Sequence, residues 1–469
     1  MSSQQASPAT AGPPVTAKRT EGRLPLVALC LGFFMIMMDA TVVNTALPDI
    51  GRDLSATVSG LQWVLDGYTL IFACLLLSAG SFGDRLGARR VFVLGLVLFT
   101  AASVVCGLAP TLGVLNGARV AQGVGAALAL PTSLALINAS YPDRARRARA
   151  IGVWGGLGGV AAGLGPVLGG VLTSWWGWPA IFYINVPIGI AAIMLTLRYV
   201  VAPAPKTRTS LDPLGQVLAV VTVAGLAYGL IEGGAEGWTA PAVVGAFVAT
   251  VLGGVGFVAV ESHHRDPMLP LSLFRSREFT GSILIGATIN IGFYGELFLL
   301  SLYFQHVRHF SPLHAGLALL PQPGIASLAS WLGGRRTARV GARPVMITGL
   351  TVGALGLLAM TLPGTHSPYW MLVVPLLAIG FGTAYTMPAA TAATIEAAPS
   401  ERAGIASGAL NSSRQIGSTL GVAVFGTLVA TTGAFMTGYH LSVLIGGLVF
   451  AAGALIALLA IPRHGPDPA

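Results

Sequence analysis

Apolar runs of about 20 residues, each long enough to cross a hydrocarbon core of roughly 30 Å as a helix, recur between residues 24 and 461. Because only 9% of the 469 residues are charged and 54% are hydrophobic, the chain has too few polar side chains to cover a soluble protein of this size. The strands of a membrane barrel would instead alternate in segments of about ten residues. The sequence therefore predicts an all-α polytopic membrane protein.

The apolar runs divide into fourteen predicted transmembrane helices. Their bounds are 24–47, 59–82, 91–109, 112–138, 150–173, 179–200, 213–232, 239–261, 279–304, 312–334, 344–362, 369–390, 403–430 and 438–461.

The basic residues support this division. Of the 26 Lys and Arg residues, Arg52 and Arg308 fall in loops on one side, Arg119 and Arg414 fall within spans, and the others fall on the side of the N-terminus. Cytoplasmic loops carry such an excess of basic residues, so we expect both termini to be cytoplasmic. The net charge of +9 then reflects topology and does not indicate a nucleic-acid partner.

An internal echo indicates a duplicated architecture. The sequence DRLGARRV at 84–91 returns as ARVGARPV at 338–345, each time after the second span of a six-span block. Both copies face the same side, so we expect two parallel bundles with a substrate site between them near the midplane. The inserted pair of helices between the bundles has few polar residues and is expected to lie at the periphery. The predicted organisation is a disordered cytoplasmic tail at 1–23, six-helix bundles at 24–200 and 279–461, a linker with the inserted pair at 201–278, and a cytoplasmic tail at 462–469.

Ionisable residues inside predicted spans are the main candidates for function. A carboxylate in the bilayer costs a few kcal/mol or more unless it is protonated, paired or facing water. Asp39 and Asp66 lie in the first two spans and Glu296 in the ninth, while Arg119 lies in the fourth with Gln122 nearby. A buried arginine beside a carboxylate favours its charged form. Two roles are open for each acid. It either binds a proton or substrate, or it forms a static ion pair or a hydrogen bond between helices.

Three further sequence features are singled out. In the thirteenth span, Asn411, Arg414 and Gln415 form a polar patch that either lines a pathway or faces the headgroups. Small residues with a proline in the fifth span indicate a helix that bends or seals against a neighbour, although such glycines often serve packing alone. A glycine-rich charged segment at 80–90 predicts a close turn between two spans. The fifth-span set is Gly165, Pro166, Gly169 and Gly170, and the charged set is Gly80, Gly83, Asp84, Arg85, Gly87, Arg89 and Arg90.

The sequence lacks the motifs that are typical of several other functional classes. There is no G-x-x-x-x-G-K-[ST] loop for ATP, no nucleophile–base constellation, and no metal-ligand spacing among the cysteines Cys30, Cys74 and Cys106. We therefore expect neither an enzyme nor a cofactor, and any energy must come from an ion gradient.

These motifs resemble those of the major facilitator superfamily, in particular its 14-span drug:proton antiporters. The charged segment at 80–90 is similar to the family's loop between the second and third spans, and 115–126, centred on Arg119, is similar to its fourth-span signature. Gly165 to Gly170 resembles the antiporter signature, while 39–48 and 63–68 resemble the first two spans of the 14-span group. The C-terminal echo lacks the acid of this motif, because Ala338 stands at the position that corresponds to Asp84.

The resemblance implies a proton-coupled antiporter that exports hydrophobic or amphipathic drugs through the cell membrane by alternating access. It implies proton coupling by Asp39, Asp66 and Arg119, and a conformational latch at 80–90. The expected substrate-binding residues are Asp39, Asp66, Tyr294, Glu296, Phe298 and Asn411.

Other roles for such a chain remain open. A proton-coupled importer or a lipid or metabolite exporter on the same fold is the first alternative, and a non-transporting receptor the second. We expect protons, membrane lipids and small apolar compounds as partners, and a monomer. The many Arg, Ala and Gly residues indicate a GC-rich bacterium.

Overall fold

The computed structural model describes residues 23–141, 143–201, 212–264, 267–399 and 402–463. Helices and short connections make up these residues, so the expected all-α class is confirmed. The predicted tails at 1–23 and 462–469 fall outside them, apart from Arg23 and residues 462–463. The helices are α1 Arg23–Val42, α2 Leu47–Asp53, α3 Val58–Leu86, α4 Ala88–Gly107, α5 Leu112–Ser140, α6 Arg144–Trp176, α7 Ala180–Tyr183, α8 Asn185–Tyr199, α9 Pro213–Glu236, α10 Pro241–His263, α11 Arg277–Leu302, α12 Pro312–Ala318, α13 Pro321–Val340, α14 Ala342–Ala359, α15 Trp370–Glu396, α16 Ala403–Thr431 and α17 Phe435–Ala460.

Twelve of the described helical segments are long and apolar enough to cross a membrane, so the predicted count of fourteen is not confirmed. The two that fall short correspond to the predicted spans 312–334 and 403–430. The first is broken into α12 and α13 at Leu319 and Leu320, just before Pro321, and α13 ends in an arginine-rich turn. The second, α16, contains the polar patch around Arg414, which lowers its mean hydropathy.

The helices pack as two groups, α1–α8 and α11–α17, that meet along two lines. One line joins α3 to α16, where Gln62 Nε2 donates to the carbonyls of Val422 (3.0 Å) and Ala423 (2.8 Å). Ser412 Oγ donates to the carbonyl of Ala73 along the same line (3.1 Å). The other line joins α6 to α12 and the start of α13. The proposed domain boundaries themselves stay a prediction.

The sequence echo corresponds to a repeated local structure. Gly87 separates α3 from α4 with φ +93°, and Gly341 separates α13 from α14 with φ +81°. Two residues later, Arg89 donates to the carbonyl of Leu197 (2.6 Å) and Arg343 to that of Leu458 (2.5 Å). The two arginines thereby join α4 to α8 and α14 to α17, the last helix of each group. The two halves share this corner although their sequences differ around it.

The charged segment at 80–90 is more helical than its composition suggested. α3 continues to Leu86 instead of ending near residue 82, and α4 begins at Ala88. Only Gly87 makes the turn, because only its φ lies in the left-handed region that favours glycine. Gly83 instead allows α3 to approach α5, since a Cβ there would come within 2.7 Å of Thr132 Cγ2. The predicted close turn is thus made by one glycine of the segment, Gly87.

The inserted helices α9 and α10 take different positions. α10 packs mainly on α9 and leaves most of its apolar surface exposed, as expected of a peripheral helix. α9 lies against both α3 and α16, one helix from each group. Trp63 Nε1 donates to Glu232 Oε1 (2.7 Å), and Thr427 Oγ1 donates to the carbonyl of Leu230 (2.8 Å). α10 thus contacts mainly α9, while α9, whose most apolar stretch is 28% buried, covers the α3–α16 line.

Candidate functional site

A buried ion pair joins α1 to α5. Arg119 Nη1 donates to Asp39 Oδ2, and both side chains are no more than 1% exposed. The two residues were candidates from the sequence because each places a charge in an apolar span, and the structure brings them together. Removing either partner of such a pair would leave an uncompensated buried charge.

Amide and hydroxyl groups complete the surroundings of this pair. Asp39 Oδ1 accepts from Asn185 Nδ2 (2.8 Å) and Gln122 Nε2 (3.3 Å). Ser103 Oγ accepts from the same two amides, at 3.3 and 2.8 Å. Both oxygens of Asp39 are therefore hydrogen-bonded, and the network ties together α1, α4, α5 and α8.

Arg119 is held on three sides. Its Nη1 also donates to Gln122 Oε1 (2.8 Å), and its Nε donates to the carbonyl of Val64 (2.9 Å). The guanidinium carbon lies 4.5 Å from the centre of the Tyr68 ring, in cation–π geometry. Asn185 and Ser103 were not predicted. Asn185 could have been found as a lone amide in an apolar run, whereas Ser103 gives no such signal because serine is common in membrane helices.

Asp66 lies close to this network but is paired differently. It is fully buried in α3, and its Oδ1 accepts from Thr69 Oγ1 at 3.4 Å. Its Oδ2 has no hydrogen-bond partner among the described residues. Burying a polar atom without a partner is costly, so such an atom is a candidate for binding a proton or a ligand.

Asp66 lines a small cavity between the two helix groups. The cavity is about 10 Å³, enough for roughly one water molecule. Its lining residues are Ala40, Asn44, Leu65, Asp66, Thr69, Arg119, Tyr294, Ser418 and Val422. The first six belong to the first group and the last three to the second. Of the predicted site residues, Asp66, Arg119 and Tyr294 thus share one space, with Asp39 behind Arg119.

The remaining predicted substrate residues lie elsewhere. Glu296 is fully buried within the second group, where its Oε2 accepts from Gln322 Nε2 at 2.7 Å. Phe298 packs in an apolar cluster with residues of α1 such as Val42. Asn411 donates to the carbonyl of Ser407 at 3.0 Å, one turn earlier in α16. None of these three lines the cavity.

The fifth-span motif lies where α6 meets α1. Pro166 has no N–H, so the carbonyl of Ala162, four residues earlier, loses its helical partner. Thr41 Oγ1 donates to that carbonyl (2.9 Å), and Thr45 Oγ1 donates to the carbonyl of Pro166 (3.2 Å). Gly165 and Gly169 allow the close approach, since a Cβ on either would collide with Thr41 or Thr45.

Gly170 of the same motif touches the other helix group. A Cβ there would come within 2.5 Å of the Pro312 carbonyl oxygen and 2.9 Å of Leu313 Cα in α12. Gly316 of α12 lies against the carbonyl of Pro166 in return. Nearby, Gln305 Nε2 donates to the carbonyl of Thr45 (3.0 Å), and Leu313 N donates to Ser174 Oγ (3.1 Å). These contacts close the bundle at the end that contains Asp53, which is the predicted outer side.

Comparison with known proteins agrees with this architecture. The family model described as Major Facilitator Superfamily matches residues 29–422 and, in an overlapping match, 324–469. The chain is 37% identical over 438 residues to the methylenomycin A resistance protein of Streptomyces coelicolor, covering 93% of this chain and 92% of that one. It is 40% identical over 407 residues to the multidrug resistance protein Stp of Mycobacterium tuberculosis, covering 87% and 76%.

A solved structure shows the same fold at low sequence identity. A bacterial homologue of the human lysosomal transporter Spinster, crystallised in an inward-facing and unoccupied conformation, superposes with a TM-score of 0.67. The match covers 95% of this chain and 97% of that one at 18% identity. The family match over most of the chain and the level of identity to full-length relatives confirm what the motifs implied: this chain belongs to the Major Facilitator Superfamily.

Proposed function

We propose that this protein exports small hydrophobic or amphipathic drugs across the cell membrane in exchange for protons. The observation that supports this most directly is the buried Asp39–Arg119 pair beside a cavity between the two helix groups, where Asp66 presents an unpartnered oxygen. Relatives named for methylenomycin A resistance and multidrug resistance make drugs the expected cargo.

In this proposal the proton acts through Arg119. A proton on Asp39 removes the negative charge that holds the guanidinium, and Arg119 already lines the cavity that Asp66 lines. The guanidinium can then pair with Asp66, whose Oδ2 is available. Passing Arg119 between two carboxylates would link protonation on one side of the membrane to deprotonation on the other. No cofactor is needed, because the proton gradient supplies the energy.

Transport in this scheme requires the cavity to enlarge. Drug-sized sites are typically about 300–1,000 Å³, against about 10 Å³ in this state. The α6–α12 contact is the element that must separate to open the Asp53 end, because it joins the two groups there through glycines. Alternating access is then a rearrangement of two packed groups around the Asp66 cavity.

Asp66→Asn tests the assignment of this carboxyl. We expect proton-driven accumulation of rhodamine 6G inside everted vesicles, which is the export direction because their cytoplasmic face is outside, to fall to the background of vesicles without the protein. Asn has nearly the shape of Asp but carries no charge for Arg119 and binds no proton. Binding of the dye to purified protein should persist, because the apolar walls of the cavity are unchanged.

The matched control is Asp49→Asn. Asp49 pairs with Arg52, which is 75% exposed, and such surface pairs contribute little, so transport should be normal. Normal export by the Asp66→Asn variant would contradict the assignment. Proton-driven movement of the dye in the opposite direction, out of everted vesicles, by the unaltered protein would instead favour the importer alternative.

We further propose that Asp84, near the end of α3, belongs to a conformational latch. This latch would hold the bundle closed at the end that contains Arg23, opposite the Asp53 end. The N-terminal copy of the repeat has the acidic residue Asp84, whereas the C-terminal copy has Ala338 at the equivalent position. We expect Asp84→Asn to lower the rate of export while the dissociation constant of the dye stays the same. Measuring both on the same preparation checks this, and a weaker binding constant would argue against a purely conformational role.

A further inference from the structure

Arg414 is a cation inside α16 with little to hold its charge. Its Nη1 donates to Asn411 Oδ1 at 3.2 Å, whereas its Nε is buried and has no acceptor in the described part of the chain. No Asp or Glu of the described ranges forms an ion pair with it. Arg119, the buried arginine of the first group, has a carboxylate, an amide and a carbonyl as acceptors.

The contacts of α16 with its neighbours show on which side of the helix Arg414 lies. Ser412 and Thr419 bond to α3, while Ser413 and Gly417 contact Ile283 and Ala287 of α11. At 3.6 residues per turn, Arg414 falls on the arc of the helix between these two contact lines.

The same arc contains the cavity residues. Ser418 and Val422 line the Asp66 cavity, and Asn411, Arg414 and Gln415 continue their line towards the Arg23 end of the helix. Tyr294, another cavity residue, is close enough to Arg414 to interact electrostatically. Gly286 of α11 leaves room for the arginine stem, because a Cβ there would lie 3.3 Å from Arg414 Cγ. Arg414 thus stands about one turn below the cavity, on the face that looks into the space between the groups.

A guanidinium within the membrane is expensive unless it is paired or reaches water. In this protein the Gln415 amide shares its face and can donate to an oxyanion, whereas Asn411 Nδ2 and Ser418 Oγ already donate to the carbonyls of Ser407 and Arg414. Arginine binds a carboxylate through two parallel N–H···O bonds, and its Nε with no acceptor is one of the donors of that arrangement.

We propose that Arg414 binds an anionic group, a carboxylate or sulfonate, on the compounds that this protein carries. The inference rests on the proposed export function and adds amphipathic anions to the compounds that the protein carries. The apolar part of the compound occupies the space towards Tyr294 and Val422, and the anionic group pairs with Arg414. Asp66 then serves the proton rather than a cationic drug.

The test compares two dyes with the same ring system, the anion fluorescein and the cation rhodamine 6G. Fluorescence anisotropy with purified protein in nanodiscs gives both dissociation constants without any need for transport. For Arg414→Gln we expect fluorescein to bind roughly 10- to 100-fold more weakly, the effect of losing a charge-assisted hydrogen bond. Rhodamine 6G should bind with no loss. Arg414→Lys should retain part of the fluorescein affinity, because it keeps the charge without the bidentate geometry.

Arg198→Gln is the control, since Arg198 is exposed near the end of α8 and should leave both dyes unaffected. Equal weakening of both dyes by Arg414→Gln would overturn the proposal, because it would indicate a packing role. Absence of fluorescein binding to the unaltered protein, or unchanged binding to the variant, would overturn it as well. So would displacement of fluorescein by chloride as readily as by benzoate. Proton-driven export of rhodamine 6G is measured separately, so failure of the export function is distinguishable.

Discussion

Replacing Asp39 by Asn is expected to abolish proton-driven export, so that vesicles containing the variant behave like vesicles without the protein. Asn keeps the hydrogen-bonding shape but cannot exchange a proton or hold Arg119 by charge. Because Arg119 is fully buried and bonded to Asp39, its position depends on that carboxylate. Export driven by an imposed pH gradient, followed with rhodamine 6G, measures the effect.

Loss of folding must be separated from loss of coupling in this experiment. Breaking a buried pair by removing one partner costs about 3–5 kcal/mol, so Asp39→Asn alone should lower the melting temperature. The double variant Asp39→Asn with Arg119→Gln removes both charges and should recover much of that stability. It should still fail to couple export to protons, because neither the proton acceptor nor its cation remains.

Two outcomes would contradict this role for the pair. One is proton-driven export by the double variant at the normal rate, which would make the pair a structural contact. The other is a double variant as unstable as the single one, which would show that the charge of Arg119 was not the cause of the instability. Asp39→Glu serves as the conservative comparison, since it retains the charge and the proton-binding group.

Replacing Gly170 by Ala is expected to shift the protein towards a state open at the Asp53 end. The added methyl group would lie 2.5 Å from the Pro312 carbonyl oxygen and 2.9 Å from Leu313 Cα, too close for the contact to persist. Forcing one extra methyl group into a packed interface costs about 1–3 kcal/mol. The ratio of closed to open molecules should therefore fall roughly 5- to 150-fold.

Spin labels report this shift as a distance between the two helix groups. Arg52→Cys and Leu317→Cys place labels on exposed residues of α2 and α12, and the native cysteines are buried. The control is Gly159→Ala in the same helix, where a Cβ meets nothing within 4 Å. Because both substitutions change helix propensity equally, only Gly170→Ala should lengthen the distance. An unchanged distribution in that variant would show that the α6–α12 contact does not set the conformation.

The sequence could identify the residues of the ion pair but not the pair itself. Asp39 and Arg119 are conspicuous because charges are rare in apolar spans. Which helix faces which depends on the packing of long, almost uniformly apolar helices, whose sequence gives little indication of the buried side. The same limitation explains Glu296, which was expected at the substrate site and lies within the second helix group against Gln322.

The sequence repeat alone could have identified which glycine of the charged segment makes the turn. Gly87 of the first copy has a glycine counterpart in the second, Gly341, and both adopt positive φ. Gly83 has Thr337 as its counterpart, so it could not be required for a turn that both copies make. The break between α12 and α13 was missed for another reason. Averaging hydropathy along 312–334 hides the interruption before Pro321.

The two lines of contact between the helix groups differ in chemistry, and this asymmetry determines how the protein can move. Along α3–α16, side chains such as Gln62 and Ser412 bond to carbonyls of the opposite group, and α9 covers the line. Along α6–α12, Gly170 and Gly316 meet backbone directly, with few hydrogen bonds to exchange. The α3–α16 line should therefore act as a hinge that stays in contact, whereas the α6–α12 line should be the one that separates. The molecule should therefore swing open on one side, so that its substrate pathway widens towards α6 and α12 and not symmetrically about the centre.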